Sequence, residues 1–233
     1  MKFSNIFMII CLLFSSSCAE LQQVVNQFPG TLSNEEIAAG LRQALDNGID
    51  KQVIKLTMED GFFKNELVKI GLPDELQKVD KTLRDIGLGN LADQGLKVLN
   101  RAAEDAVKEA TPVFVDAIKG ITFVDAKDIL LGTDNAATEY LKSRTSNALY
   151  NKFSPVIEHS FTKVGADQIW KNLINKYNTI PFVKKVNPDL TDYVTSEALK
   201  GVYTMISVEE KEIRTKVSSR TTDLLKRVFA LQD

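Results

Sequence analysis

The stretch SNEEIAAGLRQALDNGID, Ser33 to Asp50, decides how the chain is read. Ser33 followed three places later by Glu36 is a capping box. In that motif each side chain satisfies a backbone N–H that the first helical turn leaves without a partner. Behind it Ile37, Leu41, Leu45 and Ile49 recur at helical spacing and lay one apolar stripe along the segment. No stretch of five or more residues alternates cleanly between apolar and polar as a half-buried strand would, so the pattern predicts a helix that buries one side.

Moving toward the C-terminus, the same punctuation repeats. Five prolines stand where helices could begin: Pro73, Pro112, Pro155, Pro188 and Pro181. Three of them follow a residue able to cap, namely Thr111, Ser154 and Asn187. A proline at the first helical position loses nothing, because that N–H has no partner anyway. Gly61, Gly87 and Gly132 fall where a left-handed residue would close a helix. Thr122 with Asp125 repeats the cap signal. Opposite charges recur four places apart at Asp80–Arg84, Asp93–Lys97, Glu104–Lys108, Glu210–Arg214 and Asp223–Arg227. Each such pair adds only tenths of a kcal/mol, but together they favour helix. Only 180–186 reads as extended. Phe114-Val115-Asp116-Ala117 echoes Phe123-Val124-Asp125-Ala126, an offset too short for a solenoid, and reads as two adjacent short helices. The expected fold is all-α: a single irregular multi-helix bundle of about nine or ten helices over 33–233.

Toward the N-terminus the chain changes character. Lys2 precedes an unbroken apolar run from Ile6 to Phe14, and Ser15-Ser16-Ser17-Cys18 follows. A charged start, a short apolar core and a small-residue exit describe an export signal. At ~1.5 Å per residue this run is too short to cross a ~30 Å hydrocarbon layer as a helix. The ending resembles a bacterial lipoprotein signal, in which the cysteine becomes the acylated first residue. Ser15 stands where such signals usually carry Leu, Val or Ile. Ordinary signal-peptidase cleavage, releasing a soluble exported protein, is the alternative. The expectation is a signal peptide over 1–17, a lipid-bearing Cys18, and a tether over 18–32 interrupted by Pro29-Gly30. Cys11 would leave with the signal, so the two cysteines of the chain leave none for a disulfide in the mature domain. Two acyl chains suffice for stable anchoring to a membrane.

Composition removes several functions. A net charge of −2 supplies no basic field for nucleic acid. One His and two Cys do not make an ordinary zinc site, and a helical carboxylate metal site would want Glu-x-x-His, which is absent. No calcium loop spacing occurs. Neither metal nor cofactor is expected. Gly87-Leu88-Gly89-Asn90-Leu91-Ala92 fits G-x-G-x-x-A, but a nucleotide fingerprint needs a preceding strand, and 74–86 reads as helix. The six residues read as an interhelical turn capped by Asn90. His159, the only imidazole, lacks the orienting acid and nucleophile of a triad and reads as a surface or packing residue. Glu35-Glu36, Asp74-Glu75, Glu104-Asp105 and Glu209-Glu210 read as solvated helix faces. Aromatic residues from Phe62 to Tyr177 read as core, with an apolar pocket between helices as the alternative. Charge is uneven: 18–117 carries 11 basic and 17 acidic side chains, and 118–233 carries 17 basic and 14 acidic. The more basic second half suits anionic lipid or an acidic partner, or is an ordinary fluctuation of a mixed surface.

Several stretches match a known pattern. They are Asp60-Gly61-Phe62, Asn100-Arg101-Ala102-Ala103-Glu104, Pro112 with Phe114 and Asp116-Ala117-Ile118, and Asp125-Ala126 with Ile129-Leu130 and Gly132. Further along come Ala136-Ala137-Thr138 with Tyr140, Tyr193-Val194-Thr195 with Ala198-Leu199 and Gly201, Glu209-Glu210 with Ile213-Arg214, and Arg220-Thr221-Thr222 with Leu224-Leu225-Lys226. On these residues the chain, over about 36–229, resembles a bacterial family of unknown function, numbered 4197 among such domains. Its members are mostly exported proteins or proteins read as lipoproteins. The resemblance implies export and a helical fold, and no particular activity.

The polar members of the matching stretches are Asn100, Arg101, Glu104, Thr138, Glu210, Arg214 and Arg220. Arginines and carboxylates at such positions form either a buried network that fixes helix register or the lining of a ligand site. The expectation is that Arg101, Glu104, Glu210, Arg214 and Arg220 converge. Taken together, the chain reads as an exported protein of the bacterial periplasm or outer membrane, lipid-anchored through Cys18. It would be a non-catalytic binding or structural module with an envelope partner. The alternatives are a carrier of a small apolar ligand between helices, and an enzyme built from carboxylates and arginine.

Overall fold

The computed structural model describes residues 32–74, 77–85, 87, 89–182 and 184–233. The expected signal peptide, Cys18 and all of the tether but its last residue lie outside them. Among the described residues there are helices and turns and no strand. The elements in chain order are α1 (Asn34–Thr57), α2 (Gln77–Asp85), α3 (Gly89–Val107), α4 (Ala110–Lys119), α5 (Phe123–Leu130), α6 (Ala136–Thr162), α7 (Ala166–Tyr177), α8 (Leu190–Thr215) and α9 (Asp223–Phe229), with a short 3₁₀ turn, Val217–Ser219, before α9. This is the all-α bundle that the periodicity predicts.

The deciding stretch folds as read. Ser33 Oγ accepts from Glu36 N at 3.1 Å, and Glu36 Oε2 accepts from Ser33 N at 2.9 Å. Leu41, Leu45 and Ile49 are buried, while Ile37 packs half-buried at the margin of the core. The second box forms as well, with Thr122 and Asp125 opening α5.

Helix α8 is the axis of the bundle. It packs most extensively on α6 and also on α1 and α3. Its buried Val194, Ala198, Val202, Ile206 and Ile213 face a core built around Phe62, Phe114, Phe153 and Phe161. Gly201 lets α8 approach the turn after α1, for a Cβ there would stand 2.7 Å from the Phe62 ring. The Phe114 ring meets Tyr203 edge-on at 6.2 Å between centroids.

Several expected helix starts move. Pro155 lies inside α6, which runs unbroken from Ala136 to Thr162. Phe153, Ile157 and Phe161 are all fully buried along one seam of α6, and that packing outweighs the ~3 kcal/mol an interior proline costs. Helix α4 begins at Ala110, before Thr111 and Pro112, with no side-chain cap. Helix α8 begins after Pro188, capped by Asp189 rather than Asn187. Of the three glycines expected to be left-handed, only Gly87 is, at φ 82°. In the turn after α1 the left-handed residue is Asp60, φ 68°. Gly61 is needed there for another reason: its Cβ would sit 2.4 Å from the Lys55 carbonyl oxygen.

Helix α2 precedes the 87–92 glycine stretch, so no strand feeds it, and α3 starts at Gly89, one residue before the expected Asn90 cap. His159 is exposed in the last turn of α6.

Candidate functional site

The seven polar residues singled out in the sequence divide between two networks. Among the described residues no hydrogen bond or ion pair joins the two.

The first lies where α3 meets the irregular chain after α1. Asn100 is fully buried. Its Oδ1 accepts from Ile70 N at 2.8 Å, and its Nδ2 donates to the carbonyls of Ile70 and Leu96 at 2.8 and 2.7 Å. One turn on, Glu104 accepts from Phe62 N at 3.1 Å and receives an ion pair from Arg101. Arg101 also reaches Glu59 and Asp60, each at 2.8 Å. The Asp60 carboxyl is held below the usual range, first by its hydrogen bond from Lys64 and further by the field of Arg101. One face of α3 thus supplies the backbone partners that a loop against a core lacks. The loop is thereby held where Phe62 fills the core.

The second network joins three helix ends. Glu210 and Arg214, one turn apart on α8, form an ion pair at 2.8 Å with both side chains 6% exposed. Glu210 accepts from the first amides of α6, Ala137 N and Thr138 N, each at 2.9 Å, and from Thr138 Oγ1 at 2.7 Å. Arg214 donates to the last carbonyls of α5, Ile129 at 2.8 Å and Leu130 at 3.1 Å. The anion therefore meets the positive end of one helix and the cation the negative end of another. A few residues on, Arg220, 3% exposed, donates to the Ile213 and Arg214 carbonyls that end α8. It also pairs bidentately with Asp233 at 2.7 and 2.8 Å. The Asp233 carboxyl is held low, first by that hydrogen bond.

Glu104, Glu209 and Glu210 are buried, not solvated. Glu209 was missed as a site residue. Its carboxylate takes Lys51 Nζ and Gln52 Nε2, at 2.8 and 2.6 Å. The fourfold ion-pair spacing also misleads in places. Glu104 pairs with Arg101, Lys108 with Asp105, and Arg227 with Glu36. A partner distant in sequence leaves no local signal; Gly48 marks the close approach, since a Cβ there would stand 3.2 Å from Glu209 Cγ.

Between α1, α8 and α9, beside Glu209, Glu210 and Arg214, lies an apolar cavity of about 30 Å³. That is room for one or two water molecules. A more open, polar groove runs between α6 and α8, where Lys142, Ser146, Lys200 and Tyr203 face it.

A family model described as Protein of unknown function (DUF4197) matches residues 31–230. The chain belongs to this family. In this DUF4197 chain both networks lie within the matched span except for Asp233. No curated protein and no solved structure matches the chain.

Proposed function

We propose that this DUF4197 protein is a bacterial envelope lipoprotein, anchored through Cys18, whose helical domain is a non-catalytic binding or structural module. One observation carries the reading. The family match begins at residue 31 and α1 is capped at Ser33, so the whole Lys2, Ile6–Phe14, Cys18 pattern precedes, along the sequence, both the matched span and the first described helix. A leader and tether belong in that position. The polar networks support the second half of the reading. Their side chains close helix ends and pin a loop, with backbone groups as partners, rather than converging on a cleft. The apolar cavity, about 30 Å³, is far below the ~300 Å³ and more of a ligand pocket, and the larger groove between α6 and α8, about 550 Å³, is open and carries many polar residues in its lining, so neither favours the apolar-carrier alternative.

The test is acylation. Cells fed a labelled fatty acid should label the protein, and Cys18→Ala should abolish the label. The substituted chain should also move from the salt-washed membrane fraction to the soluble one. An unlabelled parent, or a labelled Cys18→Ala chain, overturns the anchoring. Capture of the anchored protein with its neighbours then addresses the partner.

A further inference from the structure

The loop between α7 and α8 has a construction that packing within the protein does not explain. Asn178, just past α7, closes its neck: Nδ2 donates to the Val186 carbonyl at 2.8 Å and Oδ1 accepts from Val186 N at 2.9 Å. Trp170 Nε1 fastens the far side to the Asn187 carbonyl at 3.1 Å, and the Trp170 ring stacks on Tyr193 at 5.9 Å. Above this fixed base Ile180 is 52% exposed and Phe182 fully exposed. Phe182 also stands at φ 65°, a backbone region that a bulky residue occupies only under strain. The fold therefore holds a fully exposed aromatic ring, in a costly conformation, on a neck that the two Asn178 hydrogen bonds close.

Charge says what the ring meets. Residues 171–185 contain four lysines and no acidic residue, in a chain whose net charge is −2. Lys171 lies exposed on α7, and Lys184 and Lys185 lie exposed directly beside the apolar tip. An exposed apolar tip followed in the chain by two exposed lysines matches the boundary of an anionic bilayer. Rings enter the headgroup layer there, and lysines attract the phosphates.

We propose that the loop between Asn178 and Val186 is a membrane-contact element, inserting Phe182 and Ile180 into the headgroup layer of an anionic lipid surface. The contact is independent of acylation, and goes beyond the anchored-module reading by giving the domain a defined face toward lipid.

The test uses the full chain carrying Cys11→Ser and Cys18→Ala, with Phe182→Cys labelled by a polarity-sensitive dye. Vesicles rich in phosphatidylglycerol should shift the emission to the blue, and phosphatidylcholine vesicles should not. The same dye at Val124→Cys, exposed on α5, should not respond. Lys185→Glu should raise the lipid concentration at half-shift about thirtyfold, since each charge at such a surface counts and reversal counts twice. Phe182→Gly, which relieves the left-handed strain, should fold as well as the parent and sediment less with anionic vesicles. No shift at position 182, or an equal shift with both lipids, overturns the proposal. So does a shift that grows with protein concentration without lipid, which would mark the loop as a contact between copies of the chain.

Discussion

At the scale of single residues, Glu210 answers to two helices at once. Its carboxylate closes the start of α6 and neutralises Arg214, which closes the end of α5. Removing the carboxylate leaves a buried cation and two amides short of a partner. Glu210→Ala should therefore lower the unfolding free energy by about 3–5 kcal/mol, read as a lowered denaturant midpoint. Glu210→Gln, which keeps an accepting oxygen, should lose less. An unchanged midpoint in Glu210→Ala would mean that the network contributes nothing to holding the helix ends. The sequence makes Glu210 and Arg214 visible as a pair one turn apart. It does not show them buried, because their other partners stand 72 and 85 positions away along the chain. A helical pair looks the same in sequence whether its face meets water or another helix.

At the scale of elements, local signals succeed where the partner is close in sequence. The Thr122–Asp125 box is readable because both groups lie within one turn, and α5, at 8 residues, has few other bonds to rely on. Thr122→Ala should cost about 1 kcal/mol, measured by thermal unfolding. The Asp125 carboxyl is held below its ordinary value, first by the Thr122 backbone N–H. Its contribution is therefore complete above the unfolded carboxyl's range and disappears as pH falls through the folded one, so Asp125→Asn should be less stable than the parent near neutrality and the two should converge in acid. A second contact joins the two longest helices: Tyr150 Oη on α6 donates to Asp192 Oδ1 on α8 at 2.6 Å. That bond to a carboxylate pushes the phenol up to about 12, with burial adding to it. The folded state keeps this proton after the unfolded chain, with its phenol at ~10, has begun to lose it. The stabilisation is then full below pH ~10 and fades as pH rises to about 12. Tyr150→Phe should be less stable at pH 8, and its deficit should shrink across that alkaline window. Proline is the weaker guide among these signals. Pro155 looks like a start and lies in mid-helix, because the buried seam of Phe153, Ile157 and Phe161 carries the helix through it.

At the scale of the whole molecule, the domain has one axis, α8, and two polar networks that meet different neighbours of it. The expected convergence of Arg101, Glu104, Glu210, Arg214 and Arg220 takes the form of two separate clusters. Their shared chemistry, arginine beside carboxylate, says nothing of which helix each will face. The apolar-tipped loop is likewise spread through the sequence. Ile180 and Phe182 look like ordinary hydrophobic residues in an extended segment, and only the Asn178–Val186 clamp reveals that they project outward. What the sequence by itself determined is what depends on neighbours a turn or two away: the helical class, the caps at Ser33 and Thr122, the membership of a family, and a leader pattern ahead of the first cap. What only the tertiary structure decided is which helical faces are buried, and hence whether Glu104, Glu209 and Glu210 meet water or a helix end. The physical reason is that periodicity and capping are short-range. Burial of a charge, by contrast, depends on contacts between residues that the chain separates by dozens of positions and that packing alone brings together.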